Sequence, residues 1–365
     1  MLRPRADLAL IGPYPPPYGG ISIHLKRLAP LLEREGIRWT HYNISSATET
    51  GKNVRSVYRF RRAWLAALPI TARERVLHFH APDDVLARSV SLPVTSFRRS
   101  KVIHSFHNSR TIVDPGSLSP IRHALLRHVL RAAAAVHVVN PALVDALARF
   151  DVPPERVFAY PAFLPPDPTD EEAKAFPPHL VEFLQTHRPS LVAIGDPRRL
   201  WRGQPIYGLE GVVDLVEALQ GELPEIGLLI FLHIGSSLDD RETRALSNRI
   251  ERKGLSQRVR VMELRRECWP AFTHADLYVR PTLTDGDAVA VREALWLGTP
   301  VVATDVGARP EGTILCPVGD ASAFIDAVRE AWANIGEAKD RVGALRPEDP
   351  SERVLAMYRS VLGRT

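Results

Sequence analysis

The chain of 365 residues has only two cysteines, Cys268 and Cys316. Two thiols cannot build a disulfide framework, and no metal-type Cys/His spacing surrounds them, so a reducing cytosol is the expected setting. There is no uninterrupted apolar run of the roughly 18 residues needed to span a bilayer. The best candidate, HALLRHVLRAAAAVHVV, is broken by Arg127 and Arg131. The opening MLRPRADLALIG lacks the apolar stretch of a secretory leader. A soluble protein, or one resting on a membrane surface, is therefore expected. Short-period repeats, low-complexity tracts and nucleic-acid-binding motifs are also missing, which argues against DNA or RNA as a partner. The glycines after the first apolar run, in GPYPPPYGG, do not follow G-x-G-x-x-G, which argues against a nicotinamide dinucleotide site.

What is present belongs to a globular protein of two domains. Apolar residues make up 45% and charged residues 24%, and 365 residues exceed what one ordinary core takes. The net charge of +5 fits either a solvated arginine-rich surface or attraction to an anionic membrane or phosphate-bearing substrate. Short buried strands are expected at residues 7–12, 76–79, 101–106 and 135–139, with helical stretches between them. The first helix, ISIHLKRLAPLLEREG, contains Pro30, which predicts a kink. After the Pro-rich, acidic stretch 164–178, a second alternating set has strands at 191–195, 227–235, 259–262, 276–279 and 300–304. Alternation of this kind predicts two doubly wound α/β halves, with ligands outside the carboxyl ends of the strands and in the cleft between the halves.

The most informative segment is PTLTDGDAVAVREALWLGTPVVATDVGARPEG, residues 281–312. A strand leads into a Thr-Asp-Gly-Asp turn and then a helix expected from about Asp287 to Leu297, ended by Gly298 and Pro300. The N–H groups of Gly286, Asp287 and Ala288 stand at a helix start, where a phosphate is favourably held. Asp285 lies at the helix mouth and Glu293 eight residues on, ~12 Å further along a regular helix. Carboxylates so spaced cannot act as a close acid/base pair. They can hold two ends of one long ligand by accepting hydrogen bonds from vicinal hydroxyls. The plainer reading makes Asp285 an N-cap and Glu293 a partly buried ion-pair residue.

Asp285, seven intervening residues, Glu293-Ala294-Leu295 and then Gly298-Thr299-Pro300-Val301-Val302-Ala303-Thr304 resemble the acidic-x7-acidic signature of retaining GT-B glycosyltransferases of family 4. The usual first residue is Glu, and this chain has Asp285. The resemblance implies a GT-B fold of two Rossmann-like domains facing across a cleft. Residues 1–163 would be the acceptor-side domain, 164–189 a linker, 190–345 the nucleotide-sugar-binding domain, and 346–365 a helix packing back on the first domain.

Other segments extend the resemblance. Gly19-Gly20 matches the glycine-rich loop that borders the donor phosphates, and His24, one turn into the following helix, is an acceptor-side candidate. His107, at the end of VIHSFHN, matches a strand-end histidine beside the reacting sugar, where imidazole donates to a hydroxyl and helps settle developing charge. His104 competes for the match, but its place inside the strand favours a structural role. Where the family has a Lys-Gly pair, this chain has Tyr207-Gly208, leaving Arg198, Arg199 and Arg202 as candidate phosphate cations. Backbone groups near Met262 and Leu264 are expected to read the base, uracil or guanine. Segment 53–69, NVRSVYRFRRAWLAALP, reads either as an ordinary amphipathic helix or as a basic, aromatic one able to lie on a membrane.

The activity implied is metal-independent transfer of a hexose, with retention of configuration, from a UDP- or GDP-linked sugar to a saccharide or lipid-linked saccharide, in surface polysaccharide or glycolipid synthesis. The nucleotide diphosphate leaves from the face on which the acceptor attacks, and a donor phosphate oxygen takes the proton. No cofactor is implied, since the nucleotide sugar is substrate. Asp285-Gly286-Asp287 has the spacing of an Asp-x-Asp metal site but lies in the wrong context. The location implied is cytoplasmic, with the inner face of the membrane as a peripheral site. The rival readings are a sugar-binding scaffold that has lost turnover and a nucleotide-sugar epimerase.

Overall fold

A computed structural model describes residues 6–46, 52–71, 73–81, 84–98, 100–107, 118–169, 171, 175–233 and 240–364. Asn108 and residues 234–235, both included in the expectations above, lie outside them. The chain divides into two compact units, Met1–Leu164 with Asp349–Thr365, and Pro165–Glu348.

The first unit is built on a parallel sheet of seven strands. These are β1 (Leu8–Gly12), β2 (Trp39–Asn43), β3 (Val54–Ser56), β4 (Val76–Phe79), β5 (Lys101–Phe106), β6 (Ala135–Val138) and β7 (Val157–Ala159), in the order β3-β2-β1-β4-β5-β6-β7. Strand β1 is buried throughout. Leu8 and Leu10 enter one core, with Leu25, Leu28 and Leu32 of the helix Gly20–Arg34. Ala9 and Ile11 enter the core on the other face, with Leu65, Leu68 and Val94. That two-sided burial explains the continuous apolar run in a strand. A Cβ on Gly12 would stand 2.7 Å from Leu25 Cδ1, so glycine there lets the helix seat on the strand. The helix continues through Pro30 to Arg34. The strand order reverses between β1 and β4, a topological switch point.

The last helix, Ser351–Leu362, is part of this unit. It buries Val354, Leu355, Met357, Tyr358, Val361 and Leu362, each worth about 1.5–3 kcal/mol if wholly buried. Its final carbonyls are capped from the sheet side, Val361 O by Lys101 Nζ at 2.6 Å and Leu362 O by Arg75 at 3.2 Å. Cations there also suit the negative end of the helix dipole.

The second unit holds six parallel strands: β8 (Ser190–Gly195), β11 (Gly227–Leu232), β12 (Val259–Glu263), β13 (Leu277–Arg280), β14 (Val301–Thr304) and β15 (Thr313–Cys316). Their order is β12-β11-β8-β13-β14-β15, with the switch point between β8 and β13. A small antiparallel hairpin, β9 (Leu200–Trp201) and β10 (Gln204–Pro205), follows β8. Two parallel α/β sheets with the order reversing beside the first strand of each are two Rossmann-like domains.

Three sequence-based expectations change. The stretch 164–189 is not a bare tether, because Pro178–Thr186 is a helix with Leu180, Phe183 and Leu184 buried in the second unit. Segment 53–69 is not one helix: it comprises β3, a 3-10 turn Tyr58–Phe60 and the start of a helix Arg61–Thr71. The helix expected from Asp287 runs Val289–Trp296, so Asp285 lies in the turn ahead of it, and the spacing to Glu293 is not all helical rise. No helix among the described residues is long and apolar enough to cross a membrane.

Candidate functional site

In the second unit Asp285, Gly286, Asp287, Ala288 and Glu293 follow the carboxyl end of β13. Asp285 does not stand open. Its Oδ2 accepts from Arg280 Nε at 2.6 Å and from Arg309 at 2.9 Å, and its Oδ1 accepts from the Gly286 N–H at 3.2 Å. The side chains of Arg280, Arg309 and Asp285 are only 10%, 4% and 12% exposed. Burial alone would raise the Asp285 carboxyl, but the two guanidinium groups outweigh it and lower its pKa to about 2. Burial pulls both guanidinium groups down; Arg309 stays lowered, whereas in Arg280 the Asp285 carboxylate together with Tyr278 and Tyr207 outweighs burial. Arg309 also donates to Thr304 O and Thr282 Oγ1, at 2.9 Å each, which staples the 304–309 loop to the turn. Gly307 fits this contact. Its φ is +68°, and a Cβ there would stand 2.9 Å from Asp285 O.

Asp287 accepts from Arg292 Nε at 2.6 Å and its side chain is wholly buried. The helix Val289–Trp296 begins at Ala288, which offers no side-chain cap. Its first N–H groups therefore have no help from the capping position. Glu293 sits on the second turn of this helix, 5% exposed. Asp285 and Asp287 each face guanidinium groups, the reverse of a cation site. Among the described residues no group of three or more His, Cys, Asp and Glu side chains is arranged to hold a metal ion.

The loop after β8 differs from the expectation of a simple basic clamp. Arg198 binds Asp196 through two N–H groups, at 3.0 and 3.2 Å, and lies 3.4 Å from Asp240. Arg199 is 3.6 Å from the same Asp196. Arg202 occupies the hairpin turn with φ +50°, beside Gly203 at φ +80°. A non-glycine residue held there is strained, a condition that gathers at functional sites. Tyr207, in the place of the usual lysine, packs over Gly195 and lies 5.6 Å from the Arg280 guanidinium. Leu264 N–H donates to Leu232 O at 2.8 Å, so that donor is engaged within the sheet. Met262 pairs with Phe231 in β12, an edge strand.

In the first unit the helix Gly20–Arg34 starts at Gly19, where the Gly19 N–H donates to Ser22 Oγ at 2.9 Å. Gly19 has φ −128°, and a Cβ there would meet nothing within 4 Å. Neither its conformation nor its neighbours demand glycine. His24 is buried, bonded through Nδ1 to Ala162 O at 2.7 Å, and its pKa is lowered by burial to about 4. His107 immediately follows β5, with Nε2 3.0 Å from His80 Nδ1 and its ring 5.7 Å from that of His24. His104 faces away into a structural site with the buried Arg88 at 3.2 Å and Ser91 at 3.3 Å. Sequence reasoning missed His78, His80 and His137, which lie buried next to these. The signal available was their alternation within apolar strands, as in LHFH.

Residues 190–334 match the family model "Glycosyl transferases group 1", and residues 6–162 match "Glycosyl transferase 4-like domain". The chain matches no curated protein. It is similar in fold to Anabaena HepE in complex with UDP-glucose, at 14% identity and TM-score 0.66, covering 98% of each chain. It is likewise similar to a glycosyltransferase from Rickettsia africae, at 12% identity and TM-score 0.69, covering 99% of this chain and 100% of that one. A third neighbour is a UDP-forming α,α-trehalose-phosphate synthase from Burkholderia xenovorans, at 13% identity and TM-score 0.67, covering 98% of this chain and 96% of that one. With one matching family domain in each unit and this fold, the chain belongs to the GT-B glycosyltransferases.

Proposed function

We propose that the protein is a retaining, metal-independent glycosyltransferase that moves a hexose from a UDP- or GDP-linked donor to a saccharide or lipid-linked saccharide. The observation that carries this reading is the buried Glu293 on the helix that follows the Asp285–Ala288 turn, at the carboxyl end of β13 and beside the switch point of its sheet. Glu293 is the carboxylate that serves the sugar. Asp285, with both oxygens engaged, serves as the counter-ion that holds Arg280 and Arg309. Two guanidinium groups on one carboxylate leave a net positive charge beside the turn. That charge, together with the N–H groups of Gly286, Asp287 and Ala288, favours a departing diphosphate. Arg202, on its strained turn, is the cation of the β8 loop for the same anion, since Arg198 is committed to Asp196. A donor phosphate oxygen takes the acceptor proton. In the first unit, taken by itself, Gly19, Gly20, His24 and His107 are the proposed substrate-side residues. HepE in complex with UDP-glucose favours UDP as the nucleotide.

The test is incubation with a panel of UDP-, GDP- and ADP-sugars, with and without saccharide acceptors. We expect nucleotide diphosphate to be released with one class of donor, faster when acceptor is present. Donor binding without turnover would support the scaffold reading, which the tied Arg198 and the Tyr207 substitution favour. A changed sugar in the absence of acceptor would mark an epimerase.

The lipid-linked acceptor has its own support. Phe60 is 72% and Tyr58 38% exposed, among the exposed Arg55, Arg59, Arg61 and Arg62. Aromatic side chains ringed by arginine suit an anionic bilayer surface. Vesicles containing anionic lipid should pull down the wild-type protein at low salt and recover much less of a Phe60→Ser variant. Equal recovery, or equal binding to neutral vesicles, contradicts membrane docking by this face.

A further inference from the structure

Six side chains of the first unit, buried except for the half-buried His107, form one connected set of hydrogen bonds that reaches His107. Starting inside, His137 Nε2 lies 2.9 Å from Tyr160 O, and His137 Nδ1 2.8 Å from Ser105 Oγ. Ser105 Oγ lies 2.7 Å from His78 Nε2, and His78 Nδ1 2.7 Å from the Tyr358 hydroxyl. His80 Nε2 lies 3.2 Å from His78 Nδ1, and His80 Nδ1 3.0 Å from His107 Nε2. The remaining nitrogen, His107 Nδ1, is buried and has no hydrogen-bond partner among the described residues.

The proton positions follow from the innermost bond. A carbonyl only accepts, so His137 carries its proton on Nε2 and leaves Nδ1 bare. Ser105 must then donate to His137 Nδ1, and its oxygen accepts from His78 Nε2–H. His78 Nδ1 is therefore bare and accepts from the Tyr358 hydroxyl. His80 Nε2 stands 3.2 Å from the same nitrogen and carries the proton, sharing with the closer Tyr358 hydroxyl the one lone pair of His78 Nδ1, since two bare nitrogens would repel. His80 Nδ1 is then bare and accepts from His107 Nε2–H. The reverse assignment would leave a buried N–H on His107 Nδ1 without an acceptor, and orphaned buried N–H groups are rare.

We infer that this relay fixes His107 as its Nε2–H tautomer and presents Nδ1 as a bare acceptor, so that His107 receives a hydrogen bond from a substrate hydroxyl and gives none. This is the opposite polarity to the sequence-based expectation of a donor that settles developing negative charge. Ser105, His78 and His80 are positioning residues, which act on the substrate only through His107. All the imidazoles are neutral near pH 7, because burial pushes His78, His80 and His107 well below the usual histidine range and His137 to about 3. The neighbouring Arg88 and Arg353 add positive charge that further disfavours protonation. The substrate half of the inference rests on the proposed function, whereas the tautomer does not.

The experiment is long-range proton–nitrogen NMR of protein labelled with 15N-histidine, on wild type, Ser105→Ala and Ser105→Thr, paired with sugar-transfer kinetics. In wild type, His107 is expected as Nε2–H. Removing the Ser105 hydroxyl strips His78 Nε2–H of its acceptor, while His78 Nδ1–H can still donate to Tyr358. The wild-type order and its reverse then each leave one buried N–H unpaired, at His78 Nε2 or at His107 Nδ1, so the wild-type bias is lost and the His107 tautomer ratio moves about tenfold towards Nδ1–H, the bias that one hydrogen bond supplies. Ser105→Thr keeps the hydroxyl and the wild-type tautomer. With that shift, kcat falls while donor KM holds. Wild-type His107 found as Nδ1–H or as imidazolium overturns the inference, even if no variant folds. So does a folded Ser105→Ala with His107 unchanged. The expected tautomers in a protein with no transferase activity would instead sink only the functional reading.

Discussion

Replacing Glu293 with glutamine is expected to lower kcat for sugar transfer by about 10²–10³-fold with little change in donor KM. The substitution keeps the shape of a side chain that is 5% exposed on the helix Val289–Trp296, so the fold should survive. What it removes is a negative charge in a dry setting, where charge counts for more than in water. Glycosyl transfer passes through an oxocarbenium-like state, and a carboxylate that favours that state more than the ground state acts on kcat. Circular dichroism and thermal unfolding would establish that the variant is folded. Full activity in a folded Glu293→Gln would remove the residue from the site, and a raised KM at constant kcat would reduce it to a binding contact.

The second large effect concerns stability. Asp285→Asn leaves the guanidinium groups of Arg280 and Arg309, 10% and 4% exposed, without their carboxylate. Breaking a buried pair by removing one partner costs about 3–5 kcal/mol. Part of this depends on pH, and its direction is fixed. The Asp285 pKa is lowered from 3.8 to about 2 in the folded protein. A depressed carboxyl stabilises fully above its unfolded value and loses that contribution as pH falls through the folded one. The stability gap between wild type and variant should therefore be constant above pH about 4 and shrink by about 2 kcal/mol on approach to pH about 2. Denaturant unfolding of both proteins across that range measures it. A gap that stays level through the window would show that Asp285 is not held by the two arginines.

These two residues also show what the sequence made legible and what it did not. Strands β1, β4, β6, β8, β11, β13 and β14 are largely apolar runs buried along their whole length, as β5 is after Lys101, and such runs announce themselves. Strand β2, WTHYN, is polar because its inward His41 and Asn43 find hydrogen bonds in the loop after β1, at Gly12 O and Tyr14 N. Pattern reading has no access to such satisfaction. The spacing of Asp285 and Glu293 was visible, yet the role of Asp285 was not. Its partner Arg309 lies 24 residues away and meets it only because Gly307 lets the loop settle on the turn. For the same reason the histidine relay was invisible. Its side chains come from β4, β5 and β6, from the residues that follow β4 and β5, and from the last helix, and only the fold makes them neighbours.

The most direct test of the central claim is the anomeric configuration of the product, read by proton NMR from the purified protein, its nucleotide-sugar donor and a saccharide acceptor. The account predicts a new glycosidic bond with the configuration of the donor. It also predicts stoichiometric release of nucleotide diphosphate, undiminished by a metal chelator. An inverted product, or donor that is bound across the whole panel but never turned over, would contradict it.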